Sequence, residues 1–353
     1  MTSRERLKAA LEHRRPDRVP LDLWVTPEIE RVMMADIGVA DPFEMRVRMG
    51  HDLLLTLVGL VNSFYMSDEP EYIDPWGITF RNIVYSSGGG KYTEMVSHPL
   101  SGDDAKLNSY TPPDPDEKQH YSEAAGLIEK YGETHFIVGG VLGSVFEGPW
   151  YLRGMHQFLQ DMISNKDYAH KLMDLVMDFH LKAGLRLISM GCDMILAGDD
   201  VGTQDRMLIS PALWREFIRP RYARLFDAYR AANPEIKIAT HICGYIEPII
   251  DDLADVGVDV LNPVQPLAMD PGKLKKRFGR RICFWGAVDD QKVFPFGSPG
   301  DVDAEVKLRI KQLAPQGGYI LCSSHNLQAT TPVENIRAYY AAYKKYGAYP
   351  LNV

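Results

Sequence analysis

The sequence predicts a single (β/α)8 TIM barrel over residues 1–353, with a β-hairpin insertion towards its amino terminus. Three observations predict it. Short apolar, β-rich runs alternate with longer amphipathic stretches through the second two-thirds of the chain, the pattern of parallel βα units. Each apolar run terminates in polar or small residues. No low-complexity segment or linker divides the chain, and its length is one that α/β barrels occupy as one domain. The count of units approaches eight, which favours a barrel over a doubly wound sheet.

Taken in order, MTSRERLKAALEHRRPDRVP opens the chain as a charged helix, and VPLDLW at 19–24 reads as a first strand. LLLTLVG from residue 53 supplies a second strand or the end of a helix. YIDPWGITFRNIVY, a turn at Gly88 to Gly90 and KYTEM form the hairpin insertion between Glu69 and Met95. FIVGGV at 136–141 is a strand followed by helical segments over 144–163 and about 167–190. CDMILAGDD at 192–200 is a buried strand ending in two acids. Ser210 and Pro211 cap and open the next helix, with Pro220 kinking it. IKIATHICG at 236–244 is a strand, and Glu247 to Ala254 returns as a helix. VDVLNPVQP, RICFWGAVD and GGYILCSSH repeat the unit, and Thr331, Pro332 and Glu334 start the last helix as a capping box.

Composition narrows the function. The chain carries 39 Lys and Arg against 47 Asp and Glu, a formal charge of −8, so no nucleic-acid partner is expected. The amino terminus lacks a signal-peptide core, and no apolar run approaches the roughly 20 residues needed to cross a bilayer, so a soluble cytoplasmic protein with no membrane partner is expected. Four cysteines make no disulfide framework and are read as free thiols or metal ligands. No Gly-rich loop follows a first strand, which disfavours nucleotide binding.

In barrels of this kind functional groups gather at the carboxyl ends of the strands. Asp199 and Asp200 end one strand, His241 and Cys243 the next, Asn262 and Gln265 the third. Asp289 and Gln291 follow the fourth, and Cys322, Ser323 and His325 end the last. In an extended segment residues i and i+2 face one side, so His241 and Cys243 can reach one metal ion. Cys322 and His325 are placed to complete a soft nitrogen and sulfur site, for which zinc is the natural occupant. Asp199 and Asp200 are candidates for substrate binding or proton transfer, with Gln204 nearby; the alternative is a strand end that caps the following helix. Glu147 is a weaker candidate, placed equally well as a first-turn acid favoured by the helix dipole. Cys192 and Cys283 lack partners and are expected in the core.

RERLKAALEHRRPDRVPLDLW, AGDDVGTQDRMLISPALWREFIRP, HICG, DVLNPVQP, FWGAVDDQ and GGYILCSSHNLQATTPVENI together resemble the uroporphyrinogen decarboxylase superfamily across essentially the whole chain. The likeness is greater to its methyltransferase branch, whose members move methyl groups to or from a corrinoid held on a separate protein. The arginine-rich RQAGRYLPEYR motif of true uroporphyrinogen decarboxylases is missing; DLWVTPEIERVMM, with one arginine, stands in its place. The branch's zinc motif, an HxC pair followed much later by a cysteine shortly before a TP-containing helix start, is matched by His241 and Cys243. At the third position this chain departs from the pattern: His325 stands there, with Cys322 three residues earlier, and either serves.

The resemblance thus implies a zinc-dependent methyltransferase with a corrinoid (cobalamin) on a corrinoid-binding partner protein. The small molecule is a methyl donor (methoxy or methylamine compound) or an acceptor (thiol or tetrahydrofolate). Catalytic Asp199 and Asp200, substrate-binding Glu147, Gln204 and Gln265, and metal ligands among His241, Cys243, Cys322 and His325 complete the expectation, with homodimerisation left open. The competing reading is a decarboxylase of a carboxylated aromatic, with Asp199 or Asp200 meeting protonated substrate.

Overall fold

A computed structural model describes residues 1–59, 66–85 and 90–353. Its strands are β1 (Leu53–Leu57), β2 (Glu71–Ile73), β3 (Thr79–Val84), β4 (Lys91–Ser97), β5 (Phe136–Leu142), β6 (Met194–Gly198), β7 (Lys237–His241), β8 (Val260–Asn262), β9 (Cys283–Val288) and β10 (Tyr319–Ser323). β1 and β5 to β10 form one parallel sheet in the order β1-β5-β6-β7-β8-β9-β10. Consecutive strands neighbour one another, as right-handed βα units require.

The sheet curls. Side chains from all seven strands meet in one inner cluster: Leu53, Phe136, Val138, Met194, Leu196, Ala239, Val260, Cys283, Trp285, Ile320 and Cys322. Alternate residues on the same strands, such as Ile137, Ile195, Ile238, Leu261 and Leu321, belong to the outer core that packs on the helices. Leu7 and Leu11, from the first helix (Ser3–Leu11), close the inner cluster at the strand starts. Trp24, Leu55 and Leu142 lie against it at the other end.

The observed sheet has seven strands, so the expected eight-stranded closure is reached only in part. The segment at 19–25 is not a strand. It is joined to β10 and the loop beyond by isolated parallel bridges, Leu21 to Leu321 and Val25 to Leu327, and its Leu21 carbonyl accepts from Asp52 N at 2.9 Å. Pro20 offers no N–H, and the Leu21 N–H is taken by the Asp52 side chain at 2.9 Å. Without those two donors no continuous ladder forms towards β1.

The insertion is a three-stranded antiparallel sheet, β2-β3-β4, one strand more than the expected hairpin. Of the expected turn, Gly88 and Gly89 lie outside the described residues, and the Gly90 carbonyl accepts from Tyr85 N. Three helix boundaries also differ from the sequence reading. The helix expected over 144–163 is two, Glu147–Arg153 and Met155–Ser164, divided at Gly154 with φ 87°. The kink at Pro220 is a division into Pro211–Phe217 and Arg219–Ala232, with Pro220 in the first turn of the second, where a missing N–H costs nothing. The last helix starts at Val333, so Pro332 holds the N-cap position and the Thr331 capping box does not form. Among the described residues no helix is long and apolar enough to cross a membrane.

Candidate metal centre at the strand ends

β6, β7 and β8 run side by side, with Gly198 in register with His241 and His241 with Asn262. Gly198 is needed there: a Cβ would meet the His241 carbonyl oxygen at 2.3 Å. That close approach lets β7 deliver His241 to the carboxyl end of the sheet. The backbone turns immediately afterwards, with Gly244 at φ 82°, and Cys243 comes back beside the imidazole, Sγ to Nε2 at 3.4 Å. His325, in the loop after β10, approaches from the other side, its ring centroid 5.8 Å from that of His241. Ligand atoms of His241, Cys243 and His325 all lie within 4.8 Å of one another.

The His241 tautomer follows from its neighbours. The Asn262 amide donates from Nδ2 to the Trp285 carbonyl at 3.1 Å, so its Oδ1 faces His241 Nδ1 at 2.6 Å and must accept from it. His241 therefore carries its proton on Nδ1 and leaves the Nε2 lone pair towards Cys243 and His325. Trp24 stacks on the imidazole at 5.3 Å between centroids and 20° between planes, fixing the ring from above. Burial, reinforced by His241, pushes His325 down to about 4, so it stands as a neutral donor. Burial, then the charges of Asp200 and Glu147, pushes the Cys243 thiol well above its ordinary range. A thiolate at this place requires a cation.

The two adjacent acids have separate roles. Asp199 is buried and accepts from Val145, Phe146 and Glu147 N–H groups (3.0, 2.6 and 2.8 Å) and from the Tyr222 hydroxyl at 2.9 Å. Burial lifts its pKa to about 6 against those donors. With its oxygens so occupied it anchors the 145–147 turn. Asp200 accepts from Cys243 N at 2.7 Å and so shapes the loop that carries Cys243. Glu147 accepts from the Tyr151 hydroxyl at 2.8 Å; burial and the charges of Asp200 and Asp199 hold its pKa well above the carboxylate range.

The structure brings together His241, Cys243 and His325, with Asp200 and Glu147 around them. Gln265 is buried beside them and accepts from Gly244 N, bracing the turn after Cys243. Gln204 is exposed on the loop after β6. Cys322 is not brought to the group. It points into the inner cluster, fully buried, with its thiol 3.7 Å from Asp22 Oδ2 and pushed well above its ordinary range by burial. The alternation of β10 explains this: Ile320 and Cys322 face inward within the strand, whereas His325 lies past its end, where the chain is free to turn.

Asp289 caps the turn after β9, accepting from Gln291 N and Lys292 N at 2.8 and 3.0 Å. Its neighbour Asp290, which sequence reading passed over, adds its charge to those of Asp200 and Glu147 on Cys243, as the least of the three; burial raises its own pKa. Trp24 was likewise missed, since an aromatic residue in an extended segment carries no signal of what it stacks on.

Comparison with known proteins places this geometry. The family model described as Uroporphyrinogen decarboxylase (URO-D) matches residues 84–346. A methylcobamide:CoM methyltransferase of Methanosarcina barkeri is 28% identical over 228 residues, which cover 64% of this chain and 63% of that protein. A methylated-thiol coenzyme M methyltransferase of Methanosarcina mazei is 24% identical over 206 residues, 58% of this chain and 52% of that one. The chain thus spans less than two-thirds of the length of these relatives. In fold it is similar to a solved methyltransferase from Methanosarcina mazei, with a TM-score of 0.74 and 22% identity, over 98% of this chain and 99% of that one. With the family model matched from the end of β3 to the end of the last helix, the chain belongs to the uroporphyrinogen decarboxylase family.

Proposed function

We propose that this chain is a zinc-dependent methyltransferase that moves a methyl group between a corrinoid, carried on a partner protein, and a small molecule. The observation that carries the reading is the convergence of His241, Cys243 and His325 within 4.8 Å at the strand ends. The names of the two relatives, methyltransferases acting on methylcobamide and methylated thiols, supply the reaction class.

Two imidazoles and one thiol suit zinc, and three protein donors leave a coordination position for substrate. The raised Cys243 thiol fits the same occupant, since only a cation offsets burial beside Asp200 and Glu147. Bound there, zinc would supply Lewis acidity towards the thiol or heteroatom that gains or loses the methyl group. The chain's own residues do the rest. Asn262 and Trp24 hold the His241 ring so that Nε2 faces inward. Glu147 holds a proton at the mouth, with Tyr151 donating to its Oε1, and is the group placed to exchange it with a substrate thiol or leaving group. Asp199 positions Glu147 through its backbone N–H. In this reading the 19–25 segment serves as the eighth stave, and the corrinoid partner docks over the open strand ends.

The test is metal content together with turnover. Purified protein is expected to hold about one zinc per chain, the stoichiometry of a mononuclear site. It should convert methylcobalamin with a thiol or tetrahydrofolate, or cob(I)alamin with methoxy or methylamine compounds, as followed by corrin absorbance. Release of carbon dioxide from a carboxylated aromatic by metal-free protein, with no methyl transfer in either direction, would decide for the decarboxylase reading instead.

A further inference from the structure

A cavity of about 250 Å³ opens at the seam where the 19–25 segment and β1 fail to form a ladder. It adjoins the metal centre through two residues: Trp24, whose ring stacks on His241, and Asn326, which follows His325. Its walls are apolar, formed by Leu23, Leu55, Leu57, Leu142, Phe43 and Trp24. A cavity of roughly 150 Å³ holds a benzene ring, so this one takes a single substituted ring or an alkyl group of similar bulk.

The one positive charge among its described lining residues is already paired. Arg46 is the one cation among its described lining residues, and its guanidinium is held by Glu30 at 2.6 Å and by the Pro42 carbonyl at 3.0 Å. Asp22 accepts from the Trp24 and Trp285 indoles at 2.9 and 3.1 Å and lies 3.2 Å from His51 Nδ1. Glu123 stands at the exposed rim. An anionic ligand entering this space meets three carboxylates and no unpaired cation, and its desolvation goes uncompensated. An uncharged apolar ligand loses nothing and gains the leucine walls.

We infer that this seam cavity is the small-molecule pocket of the metal centre and that it selects an uncharged, one-ring apolar methyl donor or acceptor over thiols bearing a carboxylate or sulfonate. The inference rests on the methyl-transfer reading for the use made of the ligand, but not for its binding. Glu30 is the specificity-determining residue, because it keeps Arg46 from serving as an anion receptor.

Binding to the full-length protein, with no corrinoid present, tests it. The probes are anisole, benzoate and 2-mercaptoethanesulfonate, followed by tryptophan emission and by calorimetry. Anisole is expected to bind at least about tenfold more tightly than either anion, and Glu30→Gln, which releases Arg46, to raise benzoate affinity by about tenfold while leaving anisole nearly unchanged. Leu142→Trp, which fills the cavity, is expected to abolish anisole binding while the metal content stays as in the wild type. Equal or tighter binding of either anion by the wild type, no response of benzoate to Glu30→Gln, or undiminished anisole binding by Leu142→Trp would each overturn the proposal. Because Glu30→Gln is nearly isosteric, its result stands even where Leu142→Trp fails to fold. Anisole binding without methyl transfer would count against the proposed reaction and leave the pocket standing.

Discussion

The two ends of the parallel sheet each bring a cysteine up to a histidine, and only one of them makes a candidate metal centre. At the strand ends Cys243 lies 3.4 Å from His241, with His325 as a third donor. At the strand starts Cys283 lies 3.7 Å from His13, but its thiol also meets the Leu11 and Ala10 carbonyls at 3.5 and 3.9 Å. Burial pushes Cys283 up to about 12, and Lys275 nearby supplies positive charge already. Proximity of imidazole and thiol is therefore a poor guide. What separates the two ends is a third soft donor and the amide that fixes the imidazole lone pair inward, both lacking at the floor among the described residues.

The largest expected effect separates the two cysteines. Cys243→Ala and His325→Ala should each drop zinc from about one per chain to near zero after dialysis against a mild chelator, whereas Cys283→Ala and Cys322→Ala should retain it. Zinc lost on Cys322→Ala but kept on His325→Ala would reverse the ligand assignment.

The next effect distinguishes the adjacent acids of the mouth. Asp199→Ala leaves three backbone N–H groups and the Tyr222 hydroxyl without their acceptor, a buried network whose loss costs about 3–5 kcal/mol. Asp200→Asn, keeping an oxygen for Cys243 N, should cost less than about 1 kcal/mol. Chemical denaturation of the two variants measures both, and equal losses would mean that Asp199 is no anchor.

Asn262→Ala tests the oriented imidazole. Loss of a group that fixes a ligand's ring weakens metal affinity on the order of 10- to 100-fold, while the protein folds as before. Competition with a zinc indicator reads it, and unchanged affinity would show that Trp24 alone holds the ring.

The smallest effect concerns the floor. Burial, then Lys275, lowers the His13 pKa below its ordinary 6.5. A histidine depressed in the folded state stabilises the fold above 6.5, and that contribution is lost as pH falls below it. His13→Asn, which tolerates the positive φ of 55° at this position, should flatten the melting temperature against pH in the acid range. A profile as steep as the wild type's would assign the acid sensitivity elsewhere.

How much of this was legible beforehand differs by residue. β6 to β10 each fall within the runs read as strands and β5 exceeds its run by Leu142 alone, because a strand buried on both faces needs an unbroken apolar run, and such runs are visible locally. His241 and Cys243 were legible as a pair through their spacing. The seam at 19–25 was not, since its apolar pattern is that of a strand, and Pro20 without an N–H together with the Asp52 side chain on the Leu21 N–H prevents one.

By itself, then, the sequence determined the alternation of strand and helix, the order of the sheet, the HxC pair and the absence of the arginine motif, all of which depend on residues near one another in the chain. Only the tertiary structure set His325 rather than Cys322 beside His241 and Cys243, gave Asp199 its backbone partners, brought Asp290 and Trp24 to the mouth, and set Glu30 on Arg46. Each of those outcomes is a distance between groups remote in sequence. Such a distance depends on where a strand stops and a turn begins: Cys322 lies within β10 and faces the inner cluster, whereas His325 lies past its end, at the mouth.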